Sequence, residues 1–509
     1  MALCPSNFDG ATLLFGGLIV LLTLKYTSAH RARSKLDAIP TAGPNGVLSS
    51  YYTAWRYMFD GCSVIEEGCR EFPHRAFKIP TFDGWQVVVH GPKLLDDVRR
   101  ASENELSIIE AVDDIIKARY TISPLIHINP YHVNVIRNTL TRNIGAKFED
   151  IRDEISAAFN DNILFKNHDW VEVSAVEVVR NIVVRANNRV FVGLPLCRDI
   201  DYCNFNVQFT IDVALNSAII GLFPAFLHPL VGRIFTKKRK SISQATRYLV
   251  PIIEERLKMQ QEYGTEWAGK SNDYISWLID AMEHSAEEWQ KSVEDLVLKV
   301  LCINFASIHT TSMAFTHALY RLAANPSLAG PLREELEAAV SMEGWTKGAM
   351  SRLRLMDSFI KESQRRAGGA IAVARTATRD FQFSDGSFVP AGTKIAAATY
   401  NAHQNEVAYP APESFKPTRF AELRDAEGES IKHQLVTPTL DWLSFGIGKR
   451  ACPGRFFAAN ELKLMLAHIL INYDVKFKGD AGYPSPFIFA GTIVPNQSAK
   501  VMFRKRLDL

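Results

Sequence analysis

The chain lacks the features that would mark a disulfide-built, nucleic-acid-binding or many-domain protein. Its 509 residues hold only seven cysteines, Cys4, Cys62, Cys69, Cys197, Cys203, Cys302 and Cys452, an odd and scattered set. That pattern argues against a disulfide framework and for a reducing compartment. Cys62 with Cys69 and Cys197 with Cys203 are close enough in sequence to pair, yet are expected to stay reduced. A net charge of +3 singles out neither nucleic acid nor strongly acidic partners. No Gly/Ser/Pro-rich linker, repeat or charge block divides the sequence after residue 50, so one large, mostly helical domain is expected where length alone would allow several. With 47% hydrophobic and 22% charged residues, the composition is that of a packed globular protein.

Basic residues are missing ahead of the first apolar run. Ala11 to Leu24 carries no charge and spans about 21 Å at ~1.5 Å per residue. That falls short of the ~30 Å hydrocarbon core of a bilayer unless Phe8, Tyr26 and a snorkelling Lys25 complete the span. Asp9 stands where a cleaved signal peptide would have a basic region, and Lys25, Arg31, Arg33 and Lys35 follow the run. The expected layout is therefore a short lumenal segment (1–10), a retained transmembrane anchor (11–26), a basic linker (27–46) with an elbow at Pro40, Gly43 and Pro44, and a cytosolic domain (47–509).

What the sequence does have is concentrated between Asp441 and Ala458. One cysteine, Cys452, sits in a loop whose glycines (Gly446, Gly448, Gly454) let backbone come close to something flat. Pro453 and the apolar spacing of Phe457, Leu462, Leu466 and Ile469 predict a helix starting immediately past the sulfur. Free amides at that helix start are expected to lower the thiol pKa and favour a thiolate. Such a thiolate, with Arg450 placed to meet a propionate, suits an axial ligand of haem iron. Other readings of the same residues stand beside this one. Cys452 is also compatible with an ordinary buried cysteine. A zinc site would need a second Cys or His at short spacing, which is absent. Gly446, Gly448 and Ala451 spell a G-x-G-x-x-A turn, but the lead-in is only Trp442 to Phe445 and Pro453 falls after the glycines.

Phe445, Gly448, Arg450, Cys452 and Gly454 together match F-x-x-G-x-R-x-C-x-G, and at these residues the chain resembles the cytochrome P-450 family of haem-thiolate monooxygenases. The resemblance implies the family's fold, mainly α with small β-sheets in a single large haem domain. It also implies haem b as cofactor, Cys452 as the metal ligand, and Phe445, Gly446 and Arg450 against the cofactor. Further back, Val293 to Asn325 predicts a long central helix, apolar around much of its circumference. It contains Ala306-Ser307-Ile308-His309-Thr310-Thr311, where the family carries A/G-G-x-D/E-T, a small residue for oxygen and an acid–alcohol pair for protons. Ala306 and Thr310 match, Ser307 replaces glycine and His309 replaces the acid. Histidine can relay protons near neutrality but lacks a fixed negative charge, and it can equally serve to bond a neighbouring helix. This variant is similar to that of fungal biosynthetic members.

Glu362 and Arg365, three apart on one helical face, match the family's E-x-x-R, although Glu67 and Arg70 show the same spacing. Their position ahead of Pro412, Glu413, Phe415, Pro417, Arg419 and Phe420 carries the resemblance, which implies a buried Glu362–Arg365–Arg419 cluster serving folding and haem retention. Arg375 falls where the family often binds a propionate. Arg137, in a helix expected over Asn129 to Gly145, aligns with another propionate arginine, although Val133 stands in place of its tryptophan partner. The family's prolines after E-x-x-R are replaced by Ala367-Gly-Gly-Ala370, expected to widen a pocket lined by Ala306, Ile371, Val373 and Ile493.

Short strands are expected over 75–95, a hairpin over Phe381 to Ile395, and a β-like tail from Gly491 to Pro495. The Phe/Leu/Ile/Pro-rich 205–230 segment, followed by Lys237-Lys-Arg-Lys240, reads either as buried helices with a solvated basic turn or as a greasy lid resting on anionic lipid. No nucleotide fingerprint survives, so the resemblance implies electrons from NADPH through a separate cytochrome P-450 reductase, with cytochrome b5 as a further donor. Lys449 and Arg455 are candidate contacts for that partner. The implied reaction is insertion of one oxygen atom from O2 into a hydrophobic substrate, a terpenoid or indole-type secondary metabolite, at the endoplasmic-reticulum membrane. A haem-thiolate coupling or rearrangement catalyst and a haem-binding sensor are the alternatives. Nothing in the sequence calls for nucleic acid.

Overall fold

In a computed structural model of the protein, residues 34–506 are described apart from 47, 129, 166–167, 284–287 and 480, together with residues 17, 23, 24, 26, 27 and 30. The expected anchor at 11–26 lies almost wholly outside the described residues, as does Cys4. The remaining cysteines are all free thiols.

The described chain is mainly helical, with small sheets at its edges. Helix α1 (Ser50–Glu71) packs on the antiparallel pair β1 (Phe77–Thr81) and β2 (Gly84–Val89), where the strands were expected. The turn at Gly91-Pro92 opens α2 (Gly91–Arg100), because Gly91 takes φ +75° and Pro92 needs no amide partner in a first helical turn. Strand β3 (Leu106–Ser107) follows, then β4 (Val171–Ser174), α3 (Ala175–Phe191), α4 (Ile200–Gly221) and α5 (His228–Phe235).

The central helix α6 (Val293–Ala324) has nearly the expected bounds. Ser292 caps its N-terminus by accepting from the Asp295 amide at 3.2 Å, and Glu294 and Asp295 complement the helix dipole. Asn325 and Pro326 end it. Leu296, Val300, Phe315, Ala318, Leu319 and Leu322 are at most 1% exposed, so α6 runs through the main core. Burial of each large apolar side chain contributes roughly 1.5–3 kcal/mol. Among the described residues it is the one helix long and apolar enough to cross a membrane, and most of it is buried within the protein.

Helix α7 (Arg354–Arg366) leads into β5 (Ala372–Ala377), β6 (Phe381–Gln382), β7 (Phe388–Val389) and β8 (Lys394–Ala397). Helix α8 (Arg455–Asn472) packs on α6 and α7, and β9 (Tyr473–Lys476), β10 (Phe487–Phe489), β11 (Thr492–Val494) and β12 (Lys500–Lys505) complete the chain. The largest sheet has the order β1-β2-β8-β5-β3, with β2 and β8 parallel and the other neighbours antiparallel.

Three local expectations are corrected. The segment 381–395 is not one hairpin: β6 pairs with β7, whereas β8 leaves them to lie between β2 and β5. Gly392, at φ +83°, makes that turn, and its amide bonds the Ala377 carbonyl at 2.7 Å. The segment 129–145 is not one α-helix. Tyr131–Asn134 and Thr141–Asn143 are α, but Val135–Leu140 is a π-turn, which turns Arg137 and Asn138 outward.

The Ala367–Ala370 stretch does not open space, because Gly368 admits the His403 ring and Gly369 other backbone. A Cβ on Gly369 would lie 2.7 Å from the Gly491 carbonyl oxygen, and the Ala370 amide donates to that same oxygen at 2.6 Å. Gly491, at φ +75°, in turn lies against Tyr57 and Gly61 of α1. Three glycines thus let the β10–β11 tip sit between α1 and the chain leaving α7.

Candidate active site

The loop ahead of α8 is built by its glycines. Gly446 and Gly448 take φ +77° and +63°, conformations closed to most L-residues. At Gly448 a Cβ would also lie 3.1 Å from the Arg99 carbonyl, so the loop is pressed against the end of α2. The Cys452 amide donates to the Phe445 carbonyl at 2.8 Å, closing the loop around the sulfur. Phe445 and Gly446 are half-buried beside it.

Helix α8 begins at Arg455 with Gly454 as its cap, so Pro453 precedes the helix and does not occupy its first turn. Burial pushes the Cys452 thiol pKa up and outweighs the amides of Gly454 and Arg455, which pull toward ionisation as expected, together with the Arg455 guanidinium. The lowering expected from the helix start is thus overridden by desolvation, and a thiolate here needs the stronger field of a metal cation.

Arg375 reports what else the site must hold. The β5 bulge between Ala372 and Arg375, with Val373 at φ +56°, turns this side chain inward, where it is 2% exposed. Nη1 donates to the Ala374 carbonyl at 2.8 Å, but Nε has no acceptor. Burial and the charge of Arg450 push its pKa down to about 10. A buried guanidinium short of an acceptor is a receptor for an anion, and a haem propionate fits it. Arg450 lies within electrostatic reach of Arg375 but already has partners, Glu103 through Nε and the Ala101 carbonyl at 2.6 Å through Nη1. Glu103 carried no sequence signal. Arg137, exposed on its π-turn, lies close enough to Arg455 for its charge to act on it.

A sharp expectation follows for Arg375→Met. Removing a buried unpaired charge should stabilise the cofactor-free protein by about 1–3 kcal/mol, while loss of the anion receptor speeds haem dissociation. Unfolding of the cofactor-free form and haem transfer to an acceptor protein would check the two halves separately. A variant that is less stable without cofactor and holds it equally well contradicts the assignment.

On α6 the residues Ala306 and Thr310, one turn apart, are exposed in the middle of an otherwise buried helix, and Phe305, His309 and Met313 beside them are half-buried. The stripe leaves a small residue and a hydroxyl facing accessible space within the core. Thr310 Oγ1 donates to the Ala306 carbonyl at 2.8 Å. His309 lies within electrostatic reach of Arg180 on α3, and burial followed by that charge pushes its pKa below the ordinary histidine value. Ser307 Oγ accepts from Asn187 of α3 at 3.2 Å. Ile493 and Ala370 share a core cluster with Ile371 packed against it, whereas Val373 belongs to the cluster next to it.

Glu362, Arg365 and Arg419 come together away from that stripe. Arg365 Nε and Nη2 donate to the two carboxylate oxygens at 2.8 Å each, Arg419 Nε adds contacts at 3.1 and 3.2 Å, and the Lys416 amide a further one at 3.1 Å. Arg365 also bonds the Pro412 carbonyl at 2.7 Å, and Arg419 that of Pro410 at 2.6 Å. This cluster ties α7 to the segment before the cysteine loop.

A family model described as Cytochrome P450 matches residues 83–503. The chain is 41% identical over 494 residues to cytochrome P450 monooxygenase 151 of Postia placenta, covering 97% of this chain and 98% of that one. It is 33% identical to cytochrome P450 monooxygenase CYP512U6 of Ganoderma lucidum, with 92% of each chain covered. An ent-kaurene oxidase of Gibberella intermedia is 28% identical over 92% of this chain and 88% of its own. With its cysteine loop, its accessible Ala306–Thr310 stripe and this match, the chain belongs to the cytochrome P450 family of monooxygenases, which use haem and O2.

Proposed function

We propose that this monooxygenase inserts one oxygen atom into an unactivated C–H bond or alkene of an apolar, membrane-partitioning intermediate of secondary metabolism, of terpenoid or indole type. Haem b held through Cys452 would supply the oxygen-activating redox chemistry. Arg375 would hold a propionate, with Arg450, which here bonds Glu103 and the Ala101 carbonyl, and Arg137, which lies near Arg455, as the further candidates. Ala306 leaves room for oxygen, and Thr310, with His309 beside it, hands on protons. Electrons come from NADPH through a separate reductase, which meets the cysteine-loop side at Lys449 and Arg455, with cytochrome b5 as a further donor. Residues 11–26 keep the enzyme on the endoplasmic-reticulum membrane with residues 47–509 in the cytosol.

The observation that carries the apolar substrate is the surface around α5. Leu222, Phe226, Leu230, Ile234 and Phe235 are exposed together, each by half or more, and Lys237, Arg239 and Lys240 follow them. The same segment contributes Phe223, Pro224 and His228 to a cavity of about 290 Å³ that is also lined by Phe82, Trp85 and the charged Asp83, Asp114, Lys117 and Lys394. An exposed apolar surface edged with basic residues suits contact with a lipid surface and a molecule that partitions into it. The ent-kaurene oxidase among the relatives supports a terpenoid.

The test is expression with a reductase on a panel of diterpene, meroterpene and indole precursors, with NADPH consumption and product mass as readouts. A product heavier by one oxygen supports the proposal. A doubled mass less two hydrogens replaces it with oxidative coupling, and substrate-independent NADPH use with no product overturns it.

A further inference from the structure

Strand β11 is held by a histidine of the central helix. His317 lies seven residues beyond Thr310, two turns along the same face of α6. Its side chain is 2% exposed. Nε2 is 3.3 Å from the Ile493 carbonyl and Nδ1 is 2.5 Å from the Tyr483 hydroxyl. A carbonyl can only accept, so Nε2 carries the proton and Nδ1 accepts from tyrosine. One neutral tautomer satisfies both bonds.

Tyr483 is fixed in turn, because the Arg321 guanidinium, one turn further along α6, sits 3.7 Å from its ring centre. The tip of the same hairpin is fixed by backbone alone. The Ala490 amide bonds the Met58 carbonyl at 2.8 Å, and the Gly491 carbonyl accepts from Ala370. Gly369, Gly491 and Gly61 leave no room for a side chain between these strands of backbone. The hairpin is therefore anchored at its tip to α1 and at Ile493 to α6, and the histidine is the only side chain among the described residues with a hydrogen bond to the Ile493 carbonyl.

We infer that His317 is a positioning residue for substrate selection: with Tyr483 as its brace, it sets the distance between the Ile493 wall and the Ala306–Thr310 stripe of its own helix. This rests on the expectation from the family resemblance that Ile371 and Ile493 line the substrate pocket, which the proposed function takes over. It adds that the spacing of that wall is fixed by α6, so the helix bearing the oxygen-handling residues also determines how bulky a molecule fits beside them. Nothing at the motif level marks His317. The only signal was its two-turn spacing from Thr310, which points to a shared face but not to a partner.

The test uses the haem-loaded full chain and two nitrogen ligands read by the absorbance change on binding iron, imidazole and the larger, apolar phenylimidazole. His317→Phe keeps an aromatic ring, somewhat larger, and loses both hydrogen bonds, and Tyr483→Phe removes only the brace. In His317→Phe the Kd for phenylimidazole should shift by about tenfold with that for imidazole unchanged, and in Tyr483→Phe by about threefold, the range expected for losing hydrogen bonds of this kind. His317→Asn, whose amide can still donate to a carbonyl, should recover part of the shift. The carbon monoxide difference spectrum should stay that of wild type, which separates a moved wall from a damaged haem site. Equal shifts for both ligands, or none in either variant, overturn the inference. If wild type itself bound imidazole but not the larger probe, the wall assignment beneath it would fail instead. Should His317→Phe not fold, Tyr483→Phe decides alone.

Discussion

With serine in place of Cys452, the reduced protein should lose the carbon monoxide spectrum of sulfur-ligated haem, and turnover should fall to the background of the reductase alone. The structure makes this a clean substitution. The Cys452 amide bonds Phe445, its carbonyl accepts from Arg455 Nη1 at 3.0 Å, and both are backbone groups that serine keeps. The loop is shaped by Gly446 and Gly448, not by the side chain. Unfolding of the cofactor-free form should therefore shift by less than about 1 kcal/mol. What changes is the ligand. The environment of residue 452 already opposes ionisation, since burial pushes even a thiol up, and a hydroxyl starts far less acidic. A serine variant that kept both the spectrum and oxygen insertion would show that another residue ligates iron, and the reading of this loop would end there.

How much of this was open to sequence reading depended on whether a property belongs to a residue or to its neighbours. The bounds of the central helix were legible because a run of apolar residues closed by Asn325-Pro326 leaves few alternatives. The cysteine loop was legible because glycine and cysteine are chosen for local reasons, backbone conformation and sulfur chemistry. The thiol pKa was misjudged because the amides at a helix start are local, whereas the burial that outweighs them comes from the whole fold.

Ala367–Ala370 shows the same limit from another side. Small residues signal missing volume, but what occupies that volume is the Gly491 backbone, more than a hundred residues away in sequence. Lys394–Ala397 was drawn into a hairpin by its turn residues, yet its apolar side chains fit the slot beside Val87 and Val88 better than a free edge. Glu103, the partner of Arg450, sits in a stretch with no pattern to mark it. In the 205–235 region Phe205, Phe209 and Val213 of α4 are buried, as the reading of buried helices had them, whereas the apolar residues after them are exposed.

Glu362→Gln should be strongly destabilising, costing roughly 3–5 kcal/mol and taking haem retention with it. The spacing of Glu362 and Arg365 has no weight by itself. Glu67 and Arg70 share it, yet Glu67 is 45% exposed and pairs with Arg56 at 2.8 Å. An exposed pair of that kind contributes about 0–1 kcal/mol, so Glu67→Gln is the matched control. Glu362 differs because both it and Arg365 are fully buried, with Arg419 at 6% exposure completing the cluster. Its two oxygens receive every charged contact that neutralises those guanidiniums, so an amide there leaves two buried cations facing one neutral group.

Both arginines also hold carbonyls of Pro410 and Pro412, and α7 is tied to the chain that leads to the cysteine loop largely through them. Loss of the carboxylate should thus be felt at residue 452 without touching it, through a loop no longer pressed into shape. Against a domain stability of about 5–15 kcal/mol, a loss of this size should appear as a large drop in unfolding midpoint and in the fraction of protein isolated with haem, while Glu67→Gln behaves as wild type. If the two variants unfolded within about 1 kcal/mol of each other, the buried cluster would not be what holds the proximal side together.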